Sequence, residues 1–371
     1  MPNKVKLLSV VGARPQFVKL APIARAIACH QTIEHCIVHT GQHYDESMSA
    51  SLFNQLGLSS PVADLGVGSG THGEQTAAMV TGLEKILDVD PPSLVLTYGD
   101  TNSTLAATLA ASKNHVAVAH IEAGLRSFNR LMPEEINRLV ADHCSDRLYA
   151  PTPQAMLNLE NENLQERAML SGDVMMDAVL QNIELAEVNS KILERLKLRD
   201  DDFGLVTVHR PVNTTGRAMK QLLSELERTL VLISPLVFPV HPRTRVALEG
   251  LDYKPPEGLI LTDALPYLDN ILLTRSAKLV ITDSGGIQKE AAFLRTPCLT
   301  ARDETEWTET VEVGVNRLVG SAGSTLMEAI DGVLRNSDPF NDKVIARIQQ
   351  HFGDGAAATR IIEDCIGWLG R

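Results

Sequence analysis

The sequence predicts an α/β protein built as two halves, each with its own parallel sheet, facing one another across a cleft. Three observations carry this reading. Short runs rich in Val, Ile and Leu alternate with helical patterns along the chain, as strands buried on both faces of a parallel sheet do. The alternation restarts near the midpoint. Many of the apolar runs end in a polar cluster, and open α/β sheets bind their ligands outside the carboxyl ends of their strands.

In the first half, strands are expected at Lys6 to Val11, Glu34 to Thr40, Leu94 to Tyr98, Val116 to His120 and Leu148 to Ala150. Helices fill the gaps. Pro15 suits a first helical turn, and Phe17, Leu20, Ile23 and Ile27 then recur at spacings of three and four. Ala-rich Thr101 to Ser112 reads as a further helix. The second half is expected to place strands at Leu205 to Val208, Val237 to Val240, Leu259 to Thr262, Leu279 to Thr282 and Cys298 to Thr300. Between the halves, charged Glu187 to Asp202 is helical in composition, and a hinge is expected near Ser171-Gly172.

The 371 residues suffice for about two domains. With 44% hydrophobic, 22% charged and 4% aromatic residues the chain is globular and lacks the aromatic content of a nucleic-acid platform. Its 34 basic and 46 acidic residues leave a net charge of −12, which argues against nucleic-acid or membrane partners, since those rest on summed Lys and Arg contacts. A local cationic pocket for a small anion remains compatible. The cysteines at 29, 36, 144, 298 and 365 are scattered and never form C-x-x-C, so free thiols in a reducing cytoplasm are expected. The apolar N-terminal run meets Gly12-Ala13-Arg14-Pro15, which ends it too early for a signal peptide, and the longest apolar stretch, around Leu230 to Val240, is too short and too interrupted to span a membrane.

The strand ends carry the chemistry. Gly12 to Gln16, Gly41-Gln42-His43, Gly99-Asp100-Thr101 and Glu122 to Arg126 follow runs of the first half; Thr207 to Arg210, His241-Pro242-Arg243 and Asp283 to Gly286 follow runs of the second. Asp283-Ser284-Gly285-Gly286 ends a strand and opens a helix, offering free N–H groups and the helix dipole to an anion. A plain helix cap by Asp283 or Ser284 is the competing reading. Gly68 to Gly73 formally matches G-x-G-x-x-G but follows no convincing strand, so it is expected to be a loop before a helix near Glu74. G-x-x-x-x-G-K-[ST], G-x-S-x-G, H-E-x-x-H and Cys/His metal sets are all missing, leaving no sign of a P-loop, a serine nucleophile or a metal site. The acids Asp100, Glu122, Glu134 and Glu135 could move protons or stabilise a cation; singly, Asp100 and Glu134 could equally favour helix N-termini.

Taken together, Gly12 to Lys19, Gly99 to Thr104, His120 to Ser127, Pro133 to Arg138, Gly172-Asp173-Val174, Thr207 to Arg210, Asp283 to Glu290 and Arg302 to Glu306 resemble the bacterial non-hydrolysing UDP-N-acetylglucosamine 2-epimerases, in the family's order and over nearly the whole chain. The resemblance implies two Rossmann-like domains of glycosyltransferase-B type, 1–171 with 356–371 and 172–355. It implies inversion of C2 in UDP-GlcNAc to give UDP-ManNAc without cofactor, by UDP elimination and readdition through 2-acetamidoglucal. It also implies a homodimer serving surface-polysaccharide synthesis. By the same resemblance Asp100, Glu122, Glu134 and His209 are catalytic. Arg14, Lys19, Gln42, His43, Arg138, His241, Ser284, Gly285, Gly286 and Glu290 then hold substrate, Glu290 at the ribose.

The chain departs from many relatives after His209-Arg210, where Pro211-Val212-Asn213 replaces Glu-Asn. Glu306 to Glu309, Gly172 to Met175 and His241 to Arg245 look closer to the branch acting on UDP-2,3-diacetamido-2,3-dideoxyglucuronate. For such a uronate, Arg126 or Arg130 would be the additional cation. A hydrolysing epimerase and a glycosyltransferase are the other readings.

Overall fold

The computed structural model describes residues 5–42, 52–323 and 325–370. They form two compact units, Met1–Ala178 with His351–Arg371, and Val179–Gln350. The first unit holds β1 (Val5–Val11), β2 (Ile33–His39), β3 (Ala63–Asp64), β4 (Leu94–Tyr98), β5 (Val118–Ile121), β6 (Arg147–Ala150) and β7 (Ala168–Leu170). Their order is β3-β2-β1-β4-β5-β6-β7, and each neighbouring pair is parallel. The second unit holds β8 (Gly204–Thr207), β9 (Leu236–Val240), β10 (Leu259–Asp263), β11 (Leu279–Thr282), β12 (Cys298–Thr300) and β13 (Asn316–Leu318), in the order β10-β9-β8-β11-β12-β13, again parallel.

Every strand expected from the sequence is present to within two residues. The strands not expected are β3, β7 and β13, each an edge strand of two or three residues. Two or three residues at an edge are too short to set a strand period that can be read from the sequence. The segment around Glu187 to Asp202 is helical only in part: Val174–Asn189 ends within it, Ile192–Leu196 follows, and Lys197 turns left-handed to stop the helix.

In both sheets the winding reverses beside the first strand, between β1 and β4 and between β8 and β11. At such a switch point the connecting loops of two neighbouring strands diverge to opposite faces and open a crevice at the carboxyl edge. The packing beneath is apolar. In the first unit Leu8, Val10 and Val95 meet Met79 and Leu83. The helix Asn102–Lys113 buries Ala106, Ala107, Ala110 and Ala111, whose small side chains let it lie close to the sheet. In the second unit Met219, Leu222 and Leu226 cover Val206, Phe238 and Leu279.

The last helix, Ala357–Leu369, belongs to the first unit. Asp177 accepts hydrogen bonds from the N–H groups of Ala357 (3.2 Å) and Ala358 (2.8 Å) at its start. Further along, Asp364 accepts from Arg147 Nη2 (2.5 Å) and Tyr149 Oη (2.9 Å). All five cysteines are free. Among the described residues no helix is long and apolar enough to cross a membrane.

A polar chain runs through the first sheet, in which Ser9 Oγ bonds both His35 Nε2 (2.8 Å) and Tyr98 Oη (2.7 Å). Burial pulls the His35 imidazole down from 6.5 to about 4. It is therefore neutral in the fold at pH 5 to 6, where the unfolded chain would take up a proton. Stability from this group is whole above the ordinary histidine range and falls as pH drops toward 4, by up to about 3 kcal/mol. His35→Gln keeps a partner for Ser9 but cannot titrate, so its urea midpoint should decline less than that of the unaltered protein across this window. Parallel declines in the two proteins would exclude His35 as the cause.

Candidate functional site

The residues picked out from the sequence gather at the carboxyl edges of the two sheets, beside the switch points. In the first unit, Gln16 ties the loop after β1 to the loop after β4. Its Oε1 accepts from the N–H groups of Gly12 (2.8 Å) and Ala13 (3.1 Å), and its Nε2 donates to the Tyr98 carbonyl (3.0 Å). A β-carbon at Gly12 would overlap the hydroxyls of Thr40 and Ser103, so only glycine fits. Gln42 Oε1 accepts from Ser103 N–H (3.0 Å) and Oγ (2.7 Å), bringing the loop after β2 to the same place. Arg14 opens the helix Arg14–Ala28 and is half-buried. Among the described residues its guanidinium has no hydrogen bond or ion pair. His43 lies outside the described residues.

Two ion pairs meet at Gly99. Lys19 Nζ pairs with Glu122 Oε2, with both side chains largely buried. Arg138 pairs with Asp100. Gly99 lies against the first pair: a β-carbon there would stand 3.0 Å from Glu122 Oε2 and 3.1 Å from Lys19 Nζ, and its φ of +64° favours glycine in any case. Glu122 itself has φ +72°, a conformation costly for a side-chain-bearing residue and held by its N–H bond to the Tyr149 carbonyl (3.1 Å). Asp100 does not cap the following helix, because Thr101 does, through its hydroxyl. Glu134 is exposed in the first turn of Pro133–Cys144, where the helix dipole favours its charge.

Of the two buried acids of that helix, the sequence names Glu135 only among the acids able to move protons, and it does not single out Asp142. Glu135 accepts from Ser127 N–H (2.7 Å) and Oγ (2.8 Å) and from Phe128 N–H (3.1 Å), bracing the loop after β5. Burial would raise its pKa, but these donors and Arg138 hold it below the usual carboxylate range. Asp142 accepts from His120 Nδ1 (2.7 Å), Gly124 N–H (3.0 Å) and Arg126 Nη2 (2.7 Å), while His120 Nε2 bonds the Gly99 carbonyl (2.7 Å). Burial alone would raise Asp142 too; His120 and Arg126 turn the shift downward. The available signal was spacing, since Glu135 and Asp142 lie seven residues, about two turns, apart on one face of the helix. Arg126 is committed to Asp142 and Glu162, whereas Arg130 is exposed.

In the second unit the organising group is Asp283, fully buried after β11. Its carboxylate turns away from the helix that follows and accepts from the N–H groups of His209 (3.0 Å) and Arg210 (2.9 Å) and from Asn213 Nδ2 (3.0 Å). It thereby fixes the loop after β8. His209 Nδ1 is 3.3 Å from Asp283, and its ring lies 5.4 Å from that of His241. Burial lowers the His209 pKa, as do Arg210 and Arg243, against the opposing pull of Asp283, so the ring is neutral near pH 7. His241 caps the helix Pro242–Gly250 through Nδ1, which accepts from Arg243 N–H (3.2 Å).

The helix Gly285–Phe293 has Ser284 at its N-cap position but no side-chain cap hydrogen bond. Capping by Asp283 or Ser284 is thus not what this motif does. Its leading N–H groups are left for an anion, and Gly286 is exposed beside them. A β-carbon at Gly285 would overlap Glu306 Oε1, so a carboxylate already stands at this end. Glu290 is half-buried farther along the same helix. Gly68 to Gly70 is a loop, with Thr71 and Glu74 forming a capping box at the start of His72–Val89. Among the described residues no His, Cys, Asp and Glu side chains gather into a set able to hold a metal ion.

The arrangement offers two kinds of chemistry. The first unit sets carboxylates beside cations at one edge, suited to moving protons and stabilising positive charge. The second sets an uncapped helix end beside His209 and Arg210, suited to a phosphate group.

Comparison with known proteins identifies the family. A family model described as UDP-N-acetylglucosamine 2-epimerase matches residues 25–365. A Methanococcus maripaludis UDP-N-acetylglucosamine 2-epimerase homolog is 44% identical, over 97% of this chain and 99% of its own. The Pseudomonas aeruginosa UDP-2,3-diacetamido-2,3-dideoxy-D-glucuronate 2-epimerase is 43% identical over the same shares. The crystal structure of Methanocaldococcus jannaschii UDP-GlcNAc 2-epimerase in complex with UDP-GlcNAc and UDP superposes with a TM-score of 0.82 at 39% identity, covering 98% of this chain and 99% of that one. With its two parallel-sheet α/β units of glycosyltransferase-B type, the chain belongs to the UDP-N-acetylglucosamine 2-epimerase family of isomerases.

Proposed function

We propose that the chain interconverts UDP-N-acetylglucosamine and UDP-N-acetylmannosamine by eliminating and re-adding UDP. The observation that carries the reading is the meeting of two cation-paired carboxylates, Asp100 and Glu122, at Gly99 beside the switch point of the first sheet. A proton on C2 of the sugar is not acidic. Breaking the C1–oxygen bond first makes C1 cation-like, after which a carboxylate takes the C2 proton and 2-acetamidoglucal and UDP remain. Return of UDP to C1, with a proton delivered to the opposite face of C2, gives the epimer.

In this reading Asp100, Glu122 and Glu134 stabilise the oxocarbenium-like carbon and relay the proton, while Lys19, Arg138, Gln42 and His43 orient the acids and the sugar. Arg14, His209, His241 and the Ser284-Gly285-Gly286 helix end take the diphosphate, and Glu290 takes the ribose. His209 serves as a neutral donor to the departing UDP. Exclusion of water from the reacting sugar would separate epimerisation from hydrolysis. The domains are taken as 1–171 with 356–371, and 172–355. A homodimer in the cytoplasm completes the proposal, resting on the family resemblance and on the free, scattered cysteines.

One observation favours a second substrate, UDP-2,3-diacetamido-2,3-dideoxyglucuronate. The Pseudomonas aeruginosa relative named for it is 43% identical, about as similar as the relatives named for UDP-N-acetylglucosamine. Arg130, exposed in the loop after β5, would then meet the uronate carboxylate.

Incubation with UDP-GlcNAc in deuterated water should yield intact UDP-ManNAc with deuterium at C2, read by proton NMR. Free ManNAc with UDP would instead identify a hydrolase, and turnover only of the diacetamido uronate would select the second substrate. Asp100→Asn and Glu122→Gln should each lower kcat by about 10²–10⁴-fold while the circular dichroism spectrum stays unchanged. Full activity in either would remove that residue from the proton relay. His209→Ala should weaken UDP binding about 10- to 100-fold by calorimetry, the loss of one hydrogen bond to a charged group; unaltered affinity would place the diphosphate elsewhere.

A further inference from the structure

The helix end that the proposed reading gives to the diphosphate is not empty of charge. Glu306 Oε1 lies so close above Gly285 that no β-carbon could stand between them. The same carboxylate is held by Arg302 Nη1 (2.6 Å, through Oε2) and faces Arg210 Nη2 (3.6 Å, through Oε1). An acid at an uncapped helix N-terminus between two guanidinium groups has the partners a phosphate would seek there.

The backbone on either side of Glu306 is fastened to the helix. Thr305 Oγ1 donates to Gln288 Oε1 (2.6 Å), and Gln288 is fully buried. On the other side, the Trp307 ring lies 3.8 Å under the buried Lys289 ammonium. The side chain between these two anchors is 44% exposed, so it can rotate outward without disturbing either. Burial alone would raise the Glu306 pKa, but its own backbone N–H together with Arg302 and Arg210 holds it below the usual carboxylate range, so it is charged at neutral pH.

We infer that Glu306 is a resident counter-anion of the diphosphate cradle, which occupies the helix end between Arg210 and Arg302 and must swing away before UDP can seat. This rests on the reading of Ser284-Gly285-Gly286 as the diphosphate site. The physical consequence is a deliberate weakening of nucleotide binding. Two like-charged groups cannot share the helix end, and each binding event exchanges the carboxylate for the diphosphate. A fixed acid that instead contacted the nucleotide directly would strengthen binding.

Glu306→Gln, which keeps size and hydrogen-bonding capacity but removes the charge, should bind UDP about tenfold more tightly by calorimetry. Inorganic pyrophosphate should gain in the same direction. Glu306→Asp, with the charge on a shorter arm, should gain less than Glu306→Gln, and Glu306→Ala gives a second uncharged variant. A merely structural role would move affinity the other way, since losing the Arg302 contact would loosen the cradle. Unchanged or weaker UDP binding in both uncharged variants, when the unaltered protein binds UDP, would overturn the inference alone. Failure of the unaltered protein to bind UDP at all would overturn the diphosphate reading, and this inference with it.

Discussion

A parallel sheet sends every strand the same way, and most of the remaining arrangement follows from that constraint. Each strand must hand its chain to a crossover at the same edge, so loops far apart in sequence become neighbours there. Gly12 after β1 touches Thr40 after β2 and Ser103 after β4 for this reason alone. Where the winding reverses, two loops diverge and the edge opens. Asp100 and Arg14 stand at one reversal, and His209 and Ser284 stand at the other. The same geometry, used twice in one chain, yields ion-paired carboxylates at one edge and, at the other, a helix start without a side-chain cap.

What distinguishes the two edges is the use of buried carboxylates as fasteners. Asp283 and Asp142 are fully buried, and neither caps the helix nearest to it in sequence. Each instead accepts several hydrogen bonds from another loop: Asp283 from the His209-Arg210 backbone, and Asp142 from His120, Gly124 and Arg126. A buried charge without such donors would be prohibitive, and with them it locks the loop in one conformation. Through His120 and the Gly99 carbonyl this bracing reaches the place where the Glu122–Lys19 and Asp100–Arg138 pairs meet. The acids proposed for chemistry are the partly accessible ones; the inaccessible ones hold them still.

Charge is arranged locally against the global balance. The chain carries −12 overall, yet Arg14, Arg210 and Arg302 follow strand ends, and Lys19 and Arg138 on neighbouring helices pair with acids that follow strand ends. Four of the five face carboxylates of the candidate sites, in the Lys19–Glu122, Arg138–Asp100, Arg302–Glu306 and Arg210–Glu306 pairs. An epimerase that must release and recapture UDP needs a cradle that is neither empty nor too tight, and internal acid–base pairs supply that balance in the proposed mechanism.

The sequence by itself determined the α/β class, the two sheets, every interior strand, and the loops that carry the polar residues. Those signals are local: periodicity, glycine and proline placement, and polar clusters at the ends of apolar runs. Edge strands β3, β7 and β13 escaped because two or three residues are too few to establish a strand period. Only the tertiary structure decided which acids pair, which are buried and which way they face. It separated exposed Glu134 from buried Glu135, turned Asp283 away from its own helix, committed Arg126 to Asp142 and Glu162, and seated Glu306 over Gly285. Each of these depends on contacts between residues from 8 to more than 70 positions apart, which no local pattern encodes.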